Sequence, residues 1–417
     1  MRIAIVGSGI AGMTAAYLLS RKHEITLFES QDRLGGHTAT IDVEEEGKRT
    51  LAIDTGFIVY NDWTYPNFIR LLNELGVESQ PTSMGFSVRC DREGYEYAGN
   101  NLNTLFSQRS NLLSAGHWRM LWDIVRFNRT AMRDWREGRL HEGLTLGEYL
   151  PANGYSAEFA NRYLVPMGSA IWSASVSQML EFSVSFFVRF FFNHGLLNLL
   201  RRPQWRVIKG GSRSYIPALS APYADRIRLS TKVKSLWRKE QSVELVTSKG
   251  EQLTFDQVIF ACHSDQALEC LKDASNLERQ LLSAIPYACN SVALHTDSTL
   301  LPRHRRSWSS WNYRLRAESD ELPVLTYNMN ILQGLATDKT YCVTLNAEER
   351  INPKKILARF EYAHPQFSVA GNRAQQQWER INGVNRTWFC GAYWANGFHE
   401  DGVCSALRVA KGLGVDW

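Results

Sequence analysis

The residues best suited to chemistry stand at the very start of the chain. Gly7, Gly9 and Gly12 in GSGIAG fit the spacing G-x-G-x-x-G directly after the apolar run Ile3 to Val6. Met13 to Ser20 carries no breaker, so the order reads buried strand, tight turn, helix. In that order the first glycine makes the turn, the second lets a pyrophosphate approach the backbone with no Cβ in the way, and the third lets helix and strand pack closely. Ser8, Ile10 and Ala11 lie between them, so Gly7 to Gly12 is a candidate phosphate cradle facing a helix N-terminus. The strand Glu24 to Phe28 then ends on Glu29, about 20 residues beyond Gly9, where a carboxylate meets the ribose hydroxyls of an adenine nucleotide. An acid there argues against a 2′-phosphate.

The rest of the chain must position that turn. With 417 residues it exceeds one ordinary core, so two domains are expected. Hydrophobic residues make up 44% and charged residues 21%, the balance of a globular protein, and a net charge of +5 gives no reason to expect a nucleic-acid partner. Cys90, Cys262, Cys270, Cys289, Cys342, Cys390 and Cys404 form no C-x-x-C pair and no metal-ligand spacing. They read as reduced core thiols of a cytoplasmic protein, and no metal site is expected. The first strand begins at once, without a leader segment, which also points to the cytoplasm.

After Glu29 the loop SQDRLGGH runs from Ser30 to His37, and Thr/Ile/Val-rich β-structure leads to Asp54 and Gly56 in IDTGFIVYN. Glu29, Arg33, Gly35–Gly36 and Asp54-x-Gly56 together resemble the FAD-binding entry of the flavin amine oxidase, protoporphyrinogen oxidase and phytoene desaturase superfamily. The resemblance implies that Ser30, Arg33, Leu34, Gly35, Gly36 and His37 run under the FAD pyrophosphate. It also brings Thr55, Gly56, Phe57 and Ile58 close to the flavin. The family has Arg after the double glycine where this chain has His37, which replaces a permanent cation by a largely neutral ring.

The same resemblance covers the C-terminus. Thr387 to Gly391 is a strand ending in glycine, and GFHEDGVCSALRVAKGL, Gly397 to Leu413, is a loop feeding a helix. In the superfamily such a helix N-terminus lies beneath the N1/C2=O edge of the isoalloxazine. That would place Glu400, Asp401, Gly402 and Val403 there, with Gly391 near the ribityl chain. Short strands from Ile227 to Ala261 form a β-meander over the adenine, met by the backbone of Val233. The implied fold is α/β: a Rossmann-like FAD-binding domain of residues 1–65, 203–268 and 385–417, and a discontinuous α+β substrate domain of residues 66–202 and 269–384.

Two middle segments carry the substrate question. Phe182 to Leu200 has the length of a membrane span, but its twelve Phe, Val and Leu side chains are worth roughly −4 to −7 kcal/mol and Arg189 returns about +3. Asn193, His194, Asn198, two serines and Gly195 cancel the remainder, so a buried helix lining an apolar pocket is expected, with an aromatic membrane-resting surface as the alternative. Leu112 to Arg136 is the longest helical pattern. Trp118, Leu121, Trp122, Val125, Met132 and Trp135 are expected to face the core. Arg119, Arg126, Arg129, Arg133 and Arg136 are expected to face water or, in the alternative, anionic lipid at the inner membrane face.

PNF, AIWSAS, FFFNHGLL, PQWRVIKGGSRSYI and GFHEDG further resemble a bacterial subgroup whose genes accompany cyclopropane-fatty-acid-synthase-like methyltransferases. This implies a lipid substrate, partner enzymes of lipid modification, and desaturation of an acyl chain by an FAD-dependent oxidoreductase. No lysine lies between Lys272 and Lys339, where amine oxidases carry one, which counts against an amine. Porphyrinogen or polyene oxidation, and a non-catalytic FAD protein that binds lipid or a partner, are the other readings. Glu400, His399 and His194 are the candidates for proton transfer, and each has a structural alternative: a cap on the C-terminal helix, a hydrogen-bonded ring, a satisfied core histidine.

Overall fold

The computed structural model describes residues 1–45, 49–141, 143–198, 201–315 and 322–417. Its organising layer is a five-stranded parallel sheet built from β1 (Arg2–Val6), β2 (Glu24–Phe28), β3 (Ile227–Arg228), β4 (Gln257–Phe260) and β5 (Thr387–Phe389) in the order β3-β2-β1-β4-β5. β1 is central because its interior residues Ile3, Ala4 and Ile5 are fully buried, as parallel strands covered on both faces require. α1 (Ile10–Leu19) follows β1 and is buried almost all round, which is why its sequence lacks an amphipathic rhythm. A three-stranded antiparallel meander, Val233–Arg238, Val243–Thr247 and Gln252–Phe255, leads into β4.

A seven-stranded sheet forms the second layer, running Ile356–Pro365, Tyr287–His295, Cys342–Leu345, Val324–Asn328, Trp311–Arg314, Phe86–Cys90 and Tyr95–Ala98. We propose the two-part division of residues 1–65, 203–268 and 385–417 against the remainder. Its seam is interleaved: Phe68, Leu71 and Leu72 of α2 (Pro66–Glu74), with Leu281, Leu282 and Trp378, pack in the core that surrounds the parallel sheet.

A separate aromatic core gathers α3 (Ala115–Arg136) and α4 (Val184–Asn193) with the short helices between them. Ten residues of α4 rise about 15 Å, half of what a bilayer core needs. α4 buries Phe186, Phe187, Phe190 and Phe191 among Trp172, Phe182 and Phe367. Leu199 and Leu200, the end of that apolar run, lie outside the described residues. No described helix is long and apolar enough to cross a membrane.

α3 corrects the expected orientation at Trp118 and Trp122, while Leu121, Met132 and Trp135 pack partly buried on the cores and Arg119, Arg129, Arg133 and Arg136 face out, as expected. Its inward stripe is His117, Met120, Asp123, Phe127, Ala131 and Asp134, while Trp118 and Trp122 are 50% and 70% exposed. The inversion is possible because the buried acids are satisfied. Asp123 accepts from the Ser156 backbone N–H and hydroxyl at 2.9 and 2.6 Å, and Asp134 accepts from the Tyr149 hydroxyl at 2.8 Å and from Arg139. With the polar groups paired inside, the tryptophans are left outside.

Histidine burial sets the acid stability. Burial pushes His37, His117, His194, His263 and His295 down to about 4 and His364 to about 3, and drives His399 well below its ordinary range. Unfolded, all seven titrate near 6.5, so below that pH the unfolded chain binds more protons and stability falls as pH drops toward 4. Asp54 and Asp401, raised by burial to about 6, act in the opposite sense but are two against seven. Calorimetry of the apoprotein should give a Tm several degrees lower at pH 5 than at pH 7.5; a flat profile would contradict the burial of these rings.

Candidate functional site

The glycine turn is shaped by close packing on one side and left open on the other. A Cβ at Gly12 would lie 1.9 Å from the Gly7 carbonyl oxygen, and one at Gly7, whose φ is +105°, would meet Ala261 and Cys262 at 3.0 Å. At Gly9 nothing lies within 4 Å, so the middle glycine alone faces open space. Gly36, with φ +56°, stands opposite, its Cβ position 3.3 Å from Gly9 Cα.

Ser8 fastens three segments at this point. Its N–H and hydroxyl donate to Glu29 Oε2 at 3.0 and 2.6 Å, and its carbonyl accepts from the Gly35 N–H at 3.1 Å. Glu29 Oε1 accepts from the Gln31 N–H at 2.8 Å and the Ser30 hydroxyl at 3.2 Å, so a ribose hydroxyl would have to exchange with one of these donors. Val233 is buried two residues beyond Thr231, whose N–H donates to the Glu29 carbonyl at 2.7 Å. Arg33 does not point at the opening. Its guanidinium donates to the carbonyls of Leu34, Gly36 and Thr38, which holds the loop in shape.

α5 (His399–Gly412) meets α1 at its N-terminal turn. A Cβ at Gly402 would lie 2.7 Å from Ile10 Cγ2, and Val403 is fully buried against the same core. Gly391 precedes α5 and donates its N–H to Ser405 Oγ at 2.8 Å. Several other helix N-termini are closed by their own N-cap side chains: Ser114, Thr145, Ser156, Ser175 and Ser275 each accept from the first turn. At α1 and α5 no acceptor within the described residues takes the N–H groups of Ile10, Ala11 and Gly12 or of His399, Glu400 and Asp401. Two adjacent helix ends with free donors form an anion site.

The three proton-transfer candidates fall in different settings. Glu400 caps α2, not its own helix: Oε1 accepts from the Asn67 N–H and side-chain amide at 3.0 and 2.7 Å, and Oε2 accepts from the Phe68 N–H at 2.8 Å. Asp401 caps α5, accepting from the N–H groups of Phe398 and Asn396 at 2.9 and 3.2 Å. His399 stacks on Phe57 at 3.4 Å, and its Nε2 lies 3.0 Å from Thr38 Oγ1 and 3.3 Å from the Tyr215 hydroxyl. Burial keeps that ring neutral. His194 stacks on Phe190 at 3.8 Å, with Nδ1 3.0 Å from the Phe190 carbonyl. A carbonyl only accepts, so Nδ1 carries the proton and Nε2 is an acceptor.

His194 and Glu400 line one cleft of about 640 Å³ between the start of α2, the end of α4 and the N-terminus of α5, with Trp63, Asn67, Phe192, Phe398, Asp401 and Cys404. His399 does not reach it, because it projects from the other side of α5 toward Phe57. Sequence reasoning missed the roles of Thr38, which has no motif of its own, and of Tyr215 and Asn67, which lie in PQWRVIKGGSRSYI and PNF without an assigned contact. It also missed that His37 gathers His263, His364 and Tyr362, with ring centroids at 6.2, 5.3 and 5.1 Å.

FAD fits these residues. His37 Nε2 is one of several buried polar atoms without a hydrogen-bond partner among the described residues, and a polar cofactor at this loop would satisfy it. Thr55 and Gly56 sit beside His37: a Cβ at Gly56 would lie 2.2 Å from the His37 carbonyl oxygen, and the Phe57 N–H donates to it at 2.7 Å. Thr55 shares a hydrogen bond with the Tyr362 hydroxyl at 2.9 Å, and Ile58 is buried in the neighbouring core.

The two glycine environments separate in a mutational test. Gly9→Val should leave secondary structure and thermal unfolding nearly unchanged yet purify with little flavin absorbance, because its side chain enters only open space. Gly12→Val should fail to fold. Equal flavin content in Gly9→Val and the parent would refute the cradle.

Comparison with known proteins agrees with this geometry. AofH of Mycobacterium tuberculosis, provisionally named a flavin-containing monoamine oxidase, is 24% identical over 340 residues, covering 79% of this chain and 70% of its own. Among solved structures, cyclohexylamine oxidase from Brevibacterium oxydans superposes with TM-score 0.67 at 18% identity over 99% of both chains. The CLA-producing fatty acid isomerase from P. acnes superposes with TM-score 0.69 at 14% identity, again over 99% of both chains. The family profile described as flavin containing amine oxidoreductase matches residues 10–336. The chain belongs to that family of flavin-containing oxidoreductases, and FAD is its cofactor.

Proposed function

We propose that this oxidoreductase withdraws a hydride and a proton from an apolar substrate, a fatty acyl chain either free or carried on a phospholipid, to leave a double bond. The observation that carries this reading is the wall of the cleft at the N-terminus of α5. On one side it opens from the aromatic core, where Phe190 stacks on His194 and on Phe398, the latter at 5.2 Å. On the other side both of its carboxylates are already committed, Glu400 to α2 and Asp401 to the turn before α5. An ammonium substrate finds no free anion there, and no lysine is among the lining residues. The fold is shared with a fatty acid isomerase, which supports the acyl reading without fixing it.

FAD supplies the two-electron acceptor when bound. The proton from the adjacent carbon needs a base in the same cleft, and His194 Nε2 is the open acceptor there. Stacking on Phe190 and a tilted contact with Phe398 at 5.9 Å fix the ring plane, and the Phe190 carbonyl fixes the tautomer. Exclusion of water by the phenyl rings favours the neutral ring, which is the form a base requires.

Anaerobic mixing of the holoenzyme with acyl lipids should bleach the flavin bands, whereas a panel of primary amines should not; the reverse result would move the protein to amine oxidation. His194→Gln should keep its flavin and slow reduction by about 10²-fold or more. Burial holds the ring at about 4, so the rate should lose its acid limb near pH 4 as Nε2 becomes protonated, not near 6.5. An unchanged rate in His194→Gln would remove the histidine from the reaction.

A further inference from the structure

We infer that the outward face of α3 is a docking surface for an anionic phospholipid bilayer. The solvent side of this 22-residue helix carries Trp118, Trp122, Arg119, Arg129, Arg133 and Arg136. At 100° per residue, Trp118, Trp122, Arg129, Arg133 and Arg136 fall within about 60° of arc. Both aspartates of the helix, Asp123 and Asp134, are on the buried side, so the outward arc holds no carboxylate. Arg119, Arg129 and Arg136 form no ion pair among the described residues.

The chain entering α3 extends the apolar part. Leu112 is 47% exposed, Leu113 93% and, one helix earlier, Leu102 75%. These are among the most exposed large apolar side chains in the molecule, and they adjoin the tryptophan end of α3. Trp118 is held there by a hydrogen bond from its Nε1 to the Leu112 carbonyl at 2.9 Å and by Phe106 at 5.2 Å. An exposed cluster of this kind needs a partner.

The chemistry of the patch selects a bilayer over a protein. Tryptophan seats at the headgroup level with its ring in the acyl boundary, leucines reach below it, and arginines on the same arc meet lipid phosphates. A protein partner or a second copy would have to bring carboxylates for the arginines beside an apolar pocket for Leu113. At its far end the same helix backs the cleft, because Trp135 packs against Phe192 at 5.1 Å and Phe192 lines the opening. The inference stands on the surface alone and does not depend on which substrate the cleft takes.

The test is sedimentation of the FAD-loaded protein with vesicles of phosphatidylcholine alone or with one third phosphatidylglycerol, at low and high salt. Binding is expected to the anionic vesicles and to weaken as salt rises. The double substitution Trp118→Ala/Trp122→Ala should lower partitioning about tenfold, and Arg129→Glu/Arg133→Glu on the order of a hundredfold. Arg129→Lys/Arg133→Lys should keep it. Flavin absorbance and circular dichroism of each variant confirm the fold, which surface changes leave intact. No binding by the parent, or equal binding by parent and variants, overturns the proposal. So does self-association in sedimentation velocity that disappears in Trp118→Ala/Trp122→Ala without any vesicle binding. Because vesicle binding and flavin bleaching are read separately, failure of one is distinguishable from failure of the other.

Discussion

The space left empty at Gly12 is the constraint on which the molecule depends. With a Cβ there only 1.9 Å from the Gly7 carbonyl oxygen, β1, its turn and α1 can pack together only if the position is bare. That packing sets the N-terminus of α1 at the carboxyl edge of the central strand, the place where open α/β sheets bind ligands. A second glycine, Gly402, repeats the device across the fold and lets α5 approach Ile10. Residues nearly 400 positions apart thereby present two sets of unpaired N–H groups to one volume. A missing cap costs about 1 kcal/mol, and here the donors stay free for a ligand, where helices such as α3 spend theirs on a serine or threonine cap.

The site draws its positive potential from backbone and not from side chains. His37, where the resemblance leads to an expectation of arginine, is buried and held at about 4, and Arg33 spends its guanidinium on three loop carbonyls. Arg33 holds the carbonyls of the Leu34–Thr38 loop while the Gly35 N–H is tied to Ser8 and the Thr38 N–H to the Gly35 carbonyl, so the loop is fixed from both sides where Gly36 meets Gly9. Each helix end contributes about 0.3–1 kcal/mol toward an anion, more when partly buried, so two together replace much of what a lost cation would supply.

Much of the cofactor half was legible because its signals are local. A strand, a glycine turn and a helix in sequence, or a glycine-ended strand followed by a loop and helix, have one economical packing each. What was not legible depended on pairing across the fold. In α3 the apolar residues pointed to a core face through Trp118 and Trp122, but Asp123 and Asp134 are the ones inside, made tolerable by Ser156, Tyr149 and Arg139. No periodicity count can see a partner 15 to 33 residues away. The same holds for Glu400, whose acceptors serve a helix that begins at Pro66.

Glu400 also shows how structure and chemistry divide the cleft. As a carboxylate beside the flavin end of the fold it has the chemical type of a general base, yet its two oxygens satisfy the first N–H groups of α2, an Asn67 amide and the Cys404 thiol. Protonating it would release those donors and loosen the wall that Trp63 to Asn67 form, so a cycle that used it as a base would unlock the cleft at every turnover. His194 carries no such obligation at Nε2: its structural bond is made by Nδ1, to a carbonyl of its own helix. Of the titratable groups that line the cleft, Glu400 and Asp401 are held by backbone N–H donors and the Cys404 thiol donates to Glu400, whereas His194 makes its one structural bond through the nitrogen it does not need for proton exchange.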